Sequence, residues 1–118
     1  MKSTIKSSAD ISNLFTQGKK FSTPFCTVLV LEQTQQHDHE ASHGRVAFIA
    51  GKKSGNAVWR NGAKRRLRAV AFDLGAPWSG FDVVFLARSS ILKPSYNKVV
   101  KACRNALVSA GILDGTSR

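Results

Sequence analysis

The spacing of apolar and polar positions divides the chain into helix-period and strand-period stretches. Ile11, Leu14 and Phe15 recur at i, i+3 and i+4 before Gly18, and Ser7 and Asp10 have capping-box spacing with Asp in place of Glu. A short helix is expected from about Ser8 to Gln17. Phe25 to Glu32 is a run of β-favouring residues with few polar positions, which predicts a strand covered on both faces. Gln33 to Gly44 is polar and reads as an exposed loop, and Arg45 to Ala50 is a second strand, expected to lie antiparallel to the first across that loop. Beyond it, Trp59, Ala63, Leu67, Val70, Ala71 and Leu74 form one apolar arc of a helix, with Asn56 placed to cap its start and Gly75 to stop it. Ala76 to Gly80 is a turn, and Phe81 to Ala87 is an almost unbroken apolar run, the pattern of a central strand. Ser95 can cap a last helix whose Tyr96, Val99, Val100, Cys103, Leu107 and Ala110 repeat at three and four up to Gly111. Leu113 to Arg118 should fray.

The expected order is α-β-β-α-β-α, an α+β sandwich in which helices pack on a small sheet. With 118 residues, of which 42% are hydrophobic, residues 1–118 make one domain with a modest core. No internal repeat or linker is visible. Cys26 and Cys103 belong to no Cys-x-x-Cys pair, so neither zinc nor a disulfide framework is indicated, and both suit apolar positions as small hydrophobes. Met1 to Asp10 lacks a signal-peptide core and no run approaches a membrane span, which leads to the expectation of a cytoplasmic protein.

Charge changes the picture at one place. The formal net charge is +11, and no Asp or Glu occurs from Ala41 to Phe72. On a wheel of about 100° per residue, Arg60, Lys64, Arg68, Asn61 and Arg65 fall in that order within an arc of about 140°, beside the apolar arc. Lys52 and Lys53 precede the helix start, where the helix dipole favours anions. The plainer reading is a solvated amphipathic helix. Like charges at i,i+4, such as Arg60/Lys64 and Lys64/Arg68, cost helix stability, so a polyanion partner accounts for them better. Nucleic acid is favoured over an anionic membrane, because the chain has strands to bury.

The run Lys52-Lys53-x-Gly55-Asn56-Ala57-Val58-x-Arg60-Asn61-x-x-Lys64-Arg65-x-x-Arg68 resembles the signature of the bacterial ribonuclease P protein component. That family is the small basic subunit that works with a catalytic RNA in removing the 5′ leader of precursor tRNA. The resemblance implies that Lys52, Lys53, Asn56, Arg60, Asn61, Lys64, Arg65 and Arg68 contact the RNA subunit. It implies Mg²⁺ for the RNA-based holoenzyme, a protein monomer within it, and a left-handed β-α-β crossover through the basic helix, against the usual preference. It also implies a leader cleft between the first helix and the sheet. Phe15 matches one aromatic of that cleft, Ile11 stands where the family usually has Phe, and Lys19, Lys20 and Phe21 are candidate rim contacts. Gly62 is a second departure, since the family commonly has a basic residue there; it lowers helix propensity by about 1 kcal/mol relative to alanine. From the residues themselves, Phe15, Phe21 and Phe25 among lysines fit a base-stacking platform or a satellite core.

No catalytic residues are expected in the chain. Its seven carboxylates are scattered singly, and neither a phosphate loop of the Walker type nor a nucleophile elbow occurs. His37, His39, Glu40 and His43 share a polar loop with metal-binding potential but no visible supporting shell, so no protein-bound metal is expected. A general RNA-binding protein of ribosomal type is the alternative on composition. A DNA-reading helix-turn-helix fits less well, because a strand and a glycine turn precede the basic helix.

Overall fold

The computed structural model describes residues 8–32 and 44–113. Its elements run α1 (Ser8–Gln17), β1 (Lys19–Ser22), β2 (Cys26–Glu32), β3 (Arg45–Ile49), α2 (Ala57–Asp73), β4 (Phe81–Ala87) and α3 (Tyr96–Ser109). The sheet order is β1-β2-β4-β3, and only the β3–β4 pair is parallel.

Two features differ from the sequence expectation. The Arg45–Ile49 strand is not the neighbour of β2, because β4 lies between them. The reason is the chain path: α2 carries the chain from the end of β3 back to the start of β4, so the two strands run parallel and β4 takes the centre. The second is β1, a strand of four residues with a single apolar member. Its alternation is too short to read, and pairing across a tight turn supplies what pattern does not. In that turn the Thr23 hydroxyl donates to the Cys26 carbonyl at 2.8 Å and accepts from the Phe25 and Cys26 amides at 3.1 and 2.9 Å.

The two-residue period of the strands sorts the sheet into two faces. On one, Leu29, Val84 and Ala47 stand in one register row and bury Leu14 of α1, with Ile11, Leu31 and Ile49 at the margin. On the other, Val28, Val30, Val46, Val83 and Phe85 meet Ala63, Leu67, Val70 and Ala71 of α2 and Val99, Cys103 and Leu107 of α3. The Cys26 and Cys103 sulfurs are 3.5 Å apart inside this larger core, as free thiols filling apolar space. Both faces of β2 and β4 are therefore covered, as their apolar runs require.

The helix ends follow local chemistry. Asn56 caps α2, its Oδ1 accepting from the Trp59 amide at 2.9 Å, and the Ser95 hydroxyl accepts from the Lys98 amide at the start of α3. After α2, Gly75 takes φ 101°, and the Gly75 and Ala76 amides return to the Phe72 and Ala71 carbonyls. No helix among the described residues is long and apolar enough to cross a membrane.

Candidate nucleic-acid interface

The flanks of α2 have different surroundings. On one side Gly62 lies against Leu92, Arg66 donates to the Ile91 and Pro94 carbonyls at 3.2 and 2.7 Å, and Asp73 accepts from the Tyr96 hydroxyl at 2.6 Å. That flank is tied to the Ser89–Leu92 turn and α3. The opposite flank carries Arg60, Lys64 and Arg68 and overhangs β3, where the Arg68 guanidinium sits 5.6 Å from the centre of the Phe48 ring. Phe48 in turn stacks on Phe85 of the central strand. Arg68 is thus steadied by an aromatic face and its charge is left uncompensated.

Arg60 and Lys64 are half-buried beside the core, whereas Asn61, Arg65 and Arg68 are exposed. Arg60 donates to the Gly55 carbonyl at 3.3 Å, which folds its stem back toward the helix start. Lys52 and Lys53 extend the flank from the 3₁₀ turn Lys52–Ser54. Gly55 joins that turn to α2 and is required by contact, since a Cβ there would lie 2.8 Å from the Trp59 side chain. Among the described residues none of Lys52, Lys53, Arg60, Lys64, Arg65 and Arg68 has a carboxylate partner, whereas Arg45 pairs with Asp82 at 2.6 Å on the α1 face. All eight basic-stretch residues lie on α2, at its cap or in the 3₁₀ turn before it, and the Asn56 side-chain oxygen is occupied by the cap.

The α1 candidates divide. Ile11 is half-buried in the α1 core, and Phe15 is 45% exposed beside it. Lys20 shares the register row of Leu29, Val84 and Ala47 on the α1 face. Lys19 and Phe21 alternate to the other face, and Phe21 packs against the α2/α3 core. Phe21 also lines a groove of about 470 Å³ between the β1–β2 turn and α3, bordered by Lys20, Pro24 and Asn105. Phe25 is likewise packed on the larger core, so Phe15, Phe21 and Phe25 do not form one platform. The α1 side of the sheet continues instead through Ser22, Thr27, Leu86 and Ile49, a row that strand alternation could have indicated once β1 was paired.

No group of three potential metal-ligating His, Cys, Asp or Glu side chains occurs among the described residues, and the loop with His37, His39, Glu40 and His43 lies outside them.

A cationic helix flank without carboxylate partners, held on an α+β sandwich, defines a small single-domain protein suited to a polyanion. The comparisons give that class a family. The family model for ribonuclease P matches residues 1–111, and the chain belongs to the ribonuclease P protein family. It is 36% identical over 97 residues to the ribonuclease P protein component of Streptococcus mutans, covering 82% of this chain and 76% of that protein. With the Enterococcus faecalis component it shares 34% identity over 111 residues, 93% and 90% of the two chains. The fold matches the Staphylococcus aureus RNase P protein with a TM-score of 0.78 at 22% identity, over 97% of this chain and all of that one. The Thermotoga maritima protein gives 0.71 at 22%, over 86% and 92%.

Proposed function

We propose that the chain is the protein subunit of ribonuclease P. It binds the catalytic RNA through the basic flank of α2 and the 5′ leader of precursor tRNA on the α1 face, assisting endonucleolytic removal of the leader. The observation that carries this reading is the flank itself: Lys52, Lys53, Arg60, Lys64, Arg65 and Arg68 gathered without carboxylates, in a member of this family. Such an arrangement favours a phosphate backbone, whose condensed counterions the cations replace.

Phosphodiester cleavage falls to the RNA. In the chain, Asp82 is engaged by Arg45 and Asp73 by Tyr96, and the described residues offer no convergent donor set for Mg²⁺. The reading assigns the Mg²⁺ of the holoenzyme to the RNA, and to the protein the part of binding and orienting. On the α1 face, Phe15 offers a ring for an unpaired leader base, Ile11 an apolar wall, and Lys20 a charge for the leader phosphates. The protein acts as a monomer in the cytoplasm, as one RNA-binding domain.

The test is cleavage of precursor tRNA at low Mg²⁺ by a ribonuclease P RNA, with and without the chain, plus a protein-only control. Cleavage at the 5′ boundary with both components and none with protein alone is expected. No gain over RNA alone, with several such RNAs, would reduce the chain to a general RNA binder.

A further inference from the structure

Four large apolar side chains are exposed among the described residues: Phe15, Val58, Phe72 and Leu92. Phe15 belongs to the α1 face, and Leu92 lies over Gly62, where an added Cβ would meet it at 3.3 Å. Phe72 is different. It is 59% exposed on the last full turn of α2 and belongs to neither core cluster.

Helical geometry places this ring among the cations. At about 100° per residue, Phe72 falls between Asn61 and Arg65, within about 20° of each, on the outward pole of α2. Along the axis it lies about 6 Å beyond Arg68 and about 10 Å beyond Arg65. The neighbouring carboxylate, Asp73, is turned to Tyr96 on α3 and so leaves the pole without negative charge. Val58, 80% exposed, marks the other end of the same pole, about 21 Å away.

An isolated exposed apolar residue needs no explanation in itself. Here the ring continues a row of unpaired cations, which narrows what can cover it. A protein partner would bring apolar area, and the other large apolar side chain exposed on α2, Val58, is about 21 Å from Phe72. A duplex would offer phosphates with its base faces hidden. A strand with unpaired nucleotides offers both phosphates for the cations and a base face for the ring.

We propose that Phe72 stacks on an unpaired base of the ribonuclease P RNA, at the C-terminal end of the basic flank. The inference rests on the reading of α2 as the RNA-binding helix. It adds a contact that salt does not screen, and it fixes where along α2 the RNA leaves its helical form.

The test compares binding of a ribonuclease P RNA transcript to the wild-type chain, Phe72→Ala, Phe72→Leu, Phe72→Tyr, and the triple variant Arg60→Ala/Lys64→Ala/Arg68→Ala. Phe72→Ala is expected to weaken binding about 5- to 100-fold with an unchanged salt slope, Phe72→Leu to be nearly as weak, and Phe72→Tyr to stay close to wild type. Thermal unfolding of Phe72→Ala should match wild type, because the ring is outside the core. If the triple variant binds weakly while Phe72→Ala binds as wild type does, the base contact is wrong and the RNA-binding helix stands. A Phe72→Leu variant equal to wild type would also overturn stacking. If the triple variant binds as tightly as wild type, the reading of α2 fails, and the inference falls with it.

Discussion

Arg65 and Arg66 are sequence neighbours with separate tasks. Arg66 donates to two backbone carbonyls and ties α2 to the turn before α3, while Arg65 stands exposed on the outer pole. Their 100° separation on the wheel is what divides them, and that much is legible in the sequence. Asn56 is equally legible, because capping is a local act between a side chain and the first turn. Replacing it by alanine should destabilise the protein by about 1 kcal/mol, read as a lower urea midpoint at unchanged slope, and Asn56→Asp should recover most of the loss. Phe21 is not legible. A single aromatic in a four-residue strand takes its face from its pairing partner, Val28, and the pairing depends on the Thr23 turn. Phe15 remains as the exposed ring on α1. Phe15→Ala should weaken binding of leader-bearing precursor and leave mature tRNA unaffected; equal losses for both would remove the leader from the α1 face.

At the scale of elements, helices are easier to read than the sheet. The apolar arc Trp59, Ala63, Leu67, Val70, Ala71 and Leu74 is the one that packs on the larger core. Periodicity reports which face of an element is buried, and the structure agrees. It does not report which strand lies beside which, and the position of β3 beyond β4 follows from the return path through α2. The same helix is held to α3 by the Tyr96–Asp73 hydrogen bond. The Tyr96 phenol is pushed up to about 12 by lost hydration and then by the carboxylate it donates to. The folded state therefore holds this proton more tightly than the unfolded chain, whose tyrosine titrates near pH 10. The stability from the bond is complete below about pH 10 and is lost as the pH rises through about 12. Tyr96 is the only tyrosine, so phenolate absorbance reports it directly. The native chain should titrate well above the urea-unfolded chain, and Asp73→Asn should narrow the gap.

For the whole molecule, the two sheet faces separate two kinds of surface. The face under α2 and α3 holds the larger core and raises the cationic flank above β3, while the face under α1 keeps Phe15 and Lys20 near a shallow floor. The net charge of +11 makes a polyanion partner legible, and the Lys52–Arg68 pattern points to the family. Phe72 is half legible: the wheel sets it between Asn61 and Arg65, away from the apolar arc, and only the structure shows that nothing covers the ring. A face of unpaired cations also repels itself, which phosphate binding relieves.

The central claim is that this flank of α2 binds the catalytic RNA through phosphates, and the most direct measurement is the salt dependence of that binding. Affinity of the wild-type chain for a ribonuclease P RNA should fall linearly on a log-log plot against salt. The Arg60→Ala/Lys64→Ala/Arg68→Ala variant should bind more weakly, with a slope shallower by about two to three ions. An unchanged slope and affinity would take α2 out of the interface and contradict the account.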